Sequence, residues 1–136
     1  MEELVLGVNA QASEDVSEAL TAVSVGSGTV RVYATPALIA LMERASVAAL
    51  AKCLRAEQTS VGVEVNVKHL AATPVGMRVQ ARAEVIAIEG RRVTFKVEAW
   101  DTREKIGEGT HTRVIVDTAR FVERVEQKLS AEEKHV

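Results

Sequence analysis

Two hydrophobic periods divide the chain. From Thr35 to Arg55, TPALIALMERASVAALAKCLR, small and apolar residues fill nearly every position, broken by Glu43, Arg44, Ser46 and Lys52. Pro36 directly after Thr35 predicts a helix capped by the Thr35 hydroxyl, with its exit between Arg55 and Ser60. A helix apolar on every side is one that other structure surrounds. From Val61 the period becomes two. Val61, Val63, Val65, Val67 and His69 fall on one face, and Gly62, Glu64, Asn66 and Lys68 on the other. A second long strand alternates through Val75, Met77, Val79, Ala81, Ala83 and Val85, entered by the turn Ala72-Thr73-Pro74 with Gly76. Glu89-Gly90-Arg91-Arg92 makes a hairpin loop into a third strand that turns Val93, Phe95, Val97 and Ala99 inward. After a loop at 101–105 the last strand runs from Ile106 to Val116.

The flanks are weaker in pattern. Leu4, Leu6 and Val8 alternate as a short strand, and Ser13 is placed to cap a brief helix through Glu14, Val16, Leu20 and Ala22. Gly26-Ser27-Gly28 is a turn, followed by an extended Thr29–Ala34. Asp117 caps a C-terminal helix that uses Phe121, Val122, Val125 and Leu129, and the tail to Val136 frays. One helix followed by a meander of half-buried strands gives an α+β fold, an antiparallel sheet curled around a long central helix. It forms one domain across residues 1–136. The sheet edge and the uncovered side of the helix predict a homodimer.

Composition narrows the function. A net charge of -2 with 17 scattered basic residues gives no footprint for nucleic acid, and 3% aromatics supply no base-stacking platform. Cys53 is the single cysteine, which excludes a disulfide framework and fits a reducing cytoplasm. The opening MEELVLGVNAQ carries acids where a signal peptide needs bases. The polar interruptions of the central helix argue against membrane insertion. No histidine pair stands at i, i+4 and no ligand cluster appears, so no metal and no cofactor is expected.

The chemistry lies in the residues that break the apolar pattern. Glu43 shares a helical face with Ile39, Val47 and Leu50, and a carboxylate there needs a partner, a raised pKa or a task. His69 falls on the apolar face of its strand. Carboxylate and imidazole together form an acid-base or nucleophile-base pair, and Thr35 adds a hydroxyl where a helix N-terminus favours developing negative charge. Plain alternatives stand beside each: an ordinary N-cap for Thr35, an arginine partner for Glu43, a satisfied core histidine for His69. His111 reads as rim or structural, and Cys53 as packing. Thr35 and Glu43 are eight residues apart, roughly 12 Å along a helix at about 1.5 Å per residue, so a site using both draws on two subunits.

Taken together, ATPALIALME (34–43), VNVKHLAATPVGM (65–77), EGRR (89–92) and IGEGTHTR (106–113) resemble the fluoroacetyl-CoA thioesterase-like branch of the hotdog-fold thioesterases. The specific part is the combination of a Thr eight residues before a Glu, and then a His 26 further on in H-x-A-A-T-P. The resemblance implies a hotdog dimer that hydrolyses acyl-CoA thioesters, with catalytic residues at Thr35, Glu43 and His69. It also implies a strand glycine against the acyl group at Gly62, and an arginine near the CoA portion at Arg113. In the fluoroacetyl-selective pattern a pair of phenylalanines gates the pocket. The matching stretch here, VGSGTVRVY, has none, with Gly26 and Thr29 near those places, so a general short-chain acyl-CoA is the expected substrate. Two other functions fit the same fold: an acyl-thioester binding domain without turnover, and a hotdog hydratase or dehydratase.

Overall fold

A computed structural model describes residues 1–133. Its strands are β1 (Asn9–Asp15), β2 (Gln58–His69), β3 (Arg78–Glu89), β4 (Arg92–Trp100) and β5 (Lys105–Asp117). Its helices are α1 (Ala22–Val25), α2 (Thr35–Ala51) and α3 (Thr118–Glu133). The strands form one antiparallel sheet in the order β1-β3-β4-β5-β2, and α2 packs into its concave face against β1, β2, β3 and β4. No helix among the described residues is long and apolar enough to cross a membrane.

The period-two strands fold as their patterns predict through the centre of the sheet. Val79, Ala81, Ala83 and Val85 of β3 and Val93, Phe95, Val97 and Ala99 of β4 are all buried. They meet Leu38, Leu41, Met42, Ala45, Ala49 and Leu50 of α2. The alanines of β3 and α2 let helix and sheet approach closely, and the leucines and Phe95 fill the space between. Helix α2 is nonetheless one-sided. Ala37, Leu38, Leu41, Met42, Ala45, Ser46, Ala49 and Leu50 are buried, while Ile39, Ala40 and Glu43 are half-buried and Val47 is 45% exposed. Surrounding structure on all sides, expected from the composition, is absent among the described residues, where the sheet covers one side of the helix only.

Three local expectations are corrected. The first strand begins at Asn9, not Leu4, because Gly7 takes a positive φ of 95° and a tight turn brings the Val8 amide to the Val5 carbonyl. Residues 9–15 alternate Ala10, Ala12 and Glu14 inward, an alternation too weakly apolar to read as a strand. The helix expected after Ser13 is replaced by the end of β1, a 3-10 turn at Glu18–Leu20 and the one-turn α1, capped by Thr21. Helix α2 also stops at Ala51, short of Arg55. At the other end of the chain Asp117 does cap α3, accepting from the Arg120 amide at 3.1 Å. Val122, Val125 and Leu129 stand exposed on that helix, and the expected fraying of the last residues lies outside the described residues.

Strand β2 carries the largest departure. Gly62 pairs with Arg113 and Glu64 with Thr112, leaving Val63 as a bulge. A bulge inserts one residue and reverses the facing of everything before it. Val65, Val67 and His69 therefore share the helix-facing side with Ser60 and Gly62, not with Val61 and Val63. The bulge thus hands two small residues to the site.

Glycine holds β2 against β5. A Cβ on Gly109 would lie 2.0 Å from the Asn66 carbonyl oxygen and 2.7 Å from the Val67 Cα, both backbone. Gly109→Ala is expected to prise β2 from the sheet and to cost about 3 kcal/mol or more in urea unfolding. A loss below about 1 kcal/mol would show that the strand contact tolerates a side chain.

Candidate active site

Thr35 opens α2 but does not cap it. Ala34, extended at ψ 141°, is the N-cap, and no side-chain hydrogen bond closes the helix end. The Thr35 hydroxyl instead lies 2.7 Å from His69 Nδ1, at the last residue of β2. The expectation of a Thr35 cap fails because the hydroxyl is committed to the imidazole. Tyr33 fixes this helix entry. Its ring is 1% exposed, its amide donates to the Thr73 carbonyl, and its hydroxyl donates to Glu14 at 2.6 Å. Arg44 of α2 bonds the same carboxylate at 2.7 Å, tying the helix to β1 at a second point.

His69 Nε2 is buried without a hydrogen-bond partner. Burial pushes the ring's pKa below its ordinary value, partly offset by a backbone hydrogen bond at Ala71. The ring is therefore neutral at pH 7 and can accept a proton. A cavity of about 360 Å³ opens beside the pair, lined also by Ala22, Ser27, Val32 and Leu70.

Glu43 lies elsewhere, two turns along α2. Its Oε2 is 3.4 Å from Arg113 Nη1 and 3.7 Å from His111 Nε2, and its side chain keeps 40% of its exposure. The open position explains the carboxylate on a face read as apolar: with Ile39 and Val47 it lies on the uncovered side of α2, while Leu50 turns into the core. Gly62 makes room for it. A Cβ there would fall 2.8 Å from Glu43 Oε2, 3.1 Å from His111 Cε1 and 3.2 Å from Arg113 Nη1. Arg113 is 7% exposed and donates from Nε to Ser60 Oγ at 2.8 Å and from Nη2 to the Ser60 carbonyl at 3.0 Å. Its guanidinium is thus hydrogen-bonded inside the chain, at the place where β2 and β5 pair.

One chain thus brings together two of the three candidates, Thr35 and His69, and sets the third apart with Gly62 and Arg113. Sequence reasoning left His111 as rim or structural and did not single out Ser60. His111 is 1% exposed and touches Arg113, but its strand parity was visible: it sits two residues before Arg113 on the same face.

The fluoroacetyl-CoA-specific thioesterase family model, FlK, matches residues 16–119. The chain belongs to the FlK family. A fluoroacetyl-CoA thioesterase of Streptantibioticus cattleyicolor is 41% identical over 100 residues, 74% of this chain and 72% of that protein. The solved fluoroacetyl-CoA thioesterase FlK superposes at a TM-score of 0.88 with 32% identity, covering 93% of this chain and 98% of its own. A variant of that enzyme solved with acetyl-CoA gives 0.87 at 32% identity, over 92% and 98%. A thioesterase superfamily member from Thermus thermophilus gives 0.89 at 28% identity, over the whole of both chains. The curled antiparallel sheet around α2 is the hotdog fold shared by this family of thioesterases.

The space at Gly62 gives a direct test. A Cβ at 62 presses the flexible end of Glu43 and, less closely, the held His111 ring and Arg113 guanidinium, so Gly62→Ala is expected to cost about 1–3 kcal/mol of unfolding free energy and still fold. Displacing that carboxylate should lower thioester turnover by about tenfold or more. Wild-type turnover in a well-folded Gly62→Ala protein would show that the Glu43 position is immaterial.

Proposed function

We propose that this chain is an acyl-CoA thioesterase whose site is completed by a second copy, with Thr35 and His69 from one protomer and Glu43 from its partner. The observation that carries this reading is the division of the three groups along one rigid helix. Thr35 is bonded to His69 at one end of α2, and Glu43 is held about 12 Å away, eight residues on at about 1.5 Å each. The features that support pairing are the outer edge of β2, unpaired among the described residues, and the half-exposed face of α2 that presents Ile39, Glu43 and Val47. The expected homodimer therefore stays as part of this reading.

In the proposed reaction the thioester carbonyl lies between the two sets of groups. The Glu43 carboxylate attacks that carbonyl, or takes a proton from the water that does. The carbonyl oxygen becomes an oxyanion near the start of α2, where no side chain caps the leading N–H groups and the dipole favours negative charge. Collapse breaks the C–S bond, and CoA leaves as thiolate and is protonated. Neutral His69 moves that proton, with the Thr35 hydroxyl fixing the ring. Water supplies the remaining oxygen and hydrogen, so acid and free CoA are the products. Gly62 leaves the acyl group and the carboxylate room to meet. No cofactor enters beyond the CoA carried by the substrate. The stretch VGSGTVRVY before α2 has no phenylalanine to gate the pocket, which supports a general short-chain acyl group over selectivity for a fluorinated one. The lone, half-buried Cys53, whose thiol is pushed up by burial and then by Glu2, suits a reducing cytoplasm and offers no nucleophile.

Thiol release from acyl-CoA substrates of increasing chain length tests the reading. Wild-type protein is expected to turn over the short members, and Glu43→Gln and His69→Ala to lose about a hundredfold or more in kcat. Binding without release by the wild-type protein would assign a carrier function instead. Unchanged rates in both variants would remove these residues from the site.

A further inference from the structure

The proposed mechanism leaves His111 without a task, although its ring is among the most deeply buried polar groups of the sheet. Both of its nitrogens are engaged. Nδ1 lies 2.8 Å from the Glu64 carbonyl oxygen, which can only accept, so Nδ1 carries the hydrogen. Nε2 then offers a lone pair, and Arg113 Nη1 donates to it at 3.1 Å. A doubly protonated ring would set one N–H against another.

The acceptor at Nε2 decides what Arg113 can do. Ser60 takes the guanidinium at Nε and Nη2, and His111 takes it at Nη1, so its plane is fixed by three bonds. Glu43 is left with one long hydrogen bond of 3.4 Å from Arg113 Nη1, and His111 Nε2 stands 3.7 Å from the same oxygen. A free arginine and carboxylate close instead into a two-pronged fork at about 2.7–2.9 Å. We infer that His111 is a positioning residue for Glu43, holding Arg113 beside the carboxylate while keeping it from clamping the oxygens that must react. The inference rests on the reading of Glu43 as the reacting carboxylate. Arg113 supplies nearby positive charge, and the lone pairs of Glu43 stay available to a carbonyl or a water.

Three substitutions separate this role from packing. In His111→Gln the amide oxygen reaches the Nε2 place and can accept from Arg113. His111→Asn reaches only the Nδ1 place, and His111→Leu fills the volume with no acceptor. Thiol release should give a kcat within about threefold of wild type for Gln. Asn and Leu should fall by about tenfold or more, with KM changed less than about twofold. Crystal structures of the Asn and Leu proteins should show two Arg113 nitrogens moved to about 3 Å from Glu43. If Leu fails to fold, the Gln and Asn pair carries the comparison. Retained activity in Leu with loss in Gln would reduce His111 to packing and overturn the inference. Equal rates in all three, or Arg113 unmoved in the Asn protein, would also overturn it. A Glu43→Gln control that keeps wild-type rates would instead overturn the underlying reading of Glu43, so the two failures are distinguishable.

Discussion

The packing of α2 against the concave sheet is the constraint on which the other features depend. Each fully buried Leu38, Leu41, Met42 and Leu50 contributes about 1.5–3 kcal/mol, so neither the rotation nor the height of the helix is free. Gly107 shows how close the approach is: a Cβ there would meet Leu38 Cδ2 at 2.9 Å and Met42 Cε at 3.0 Å. With α2 fixed in this way, Thr35 must arrive where β2 ends at His69. Glu43 must arrive where β2 and β5 pair through Gly62 and Arg113.

The two polar sets differ in environment as well as place. Around His69, burial dominates, and the ring is neutral with one nitrogen unsatisfied. An orphaned buried nitrogen is costly in a finished core and is what a site awaiting a partner group presents. Burial also lowers the pKa of Arg113 from its ordinary value, opposed by the charge of Glu43 and the hydrogen bond to it. The guanidinium nonetheless stays charged across physiological pH. Glu43 is the half-exposed member of its set, which leaves its carboxylate open on the uncovered side of α2. A rigid helix cannot bring its own two ends of chemistry together, and this is the physical reason for proposing a second copy.

Much of the architecture was legible in the chain. Strict alternation in β3 and β4 identified their buried faces, since a half-covered sheet has no other way to satisfy both solvent and core. The small-residue helix was equally plain, and so was the Asp117 cap. Strand β1 was not, because Asn9–Asp15 turns only two alanines and a glutamate inward, and its identity as a strand comes from pairing with β3. The bulge at Val63 was invisible for a related reason. Five alternating positions, four valines and a histidine, read as one face, and nothing local marks the extra residue that hands Ser60 and Gly62 to the helix side. Candidate chemistry followed the same division. Thr35, Glu43 and His69 stood out because each breaks an apolar pattern, whereas His111 hid among the polar residues of β5 and acquires its setting only when β2 supplies the Glu64 carbonyl.

Membership of the FlK family and the shared hotdog fold make thioester hydrolysis the natural chemistry for this arrangement. The central claim is that the reacting groups come from different copies of the chain. Its most direct measurement is subunit complementation, in which His69→Ala and Glu43→Gln proteins, each inactive alone, are unfolded together and refolded as a mixture. Mixed dimers would carry one intact site built from His69 of one copy and Glu43 of the other, restoring about a quarter of wild-type thiol release at equal mixing. A mixture as inactive as its components, with mixed dimers shown to be present, would contradict the account.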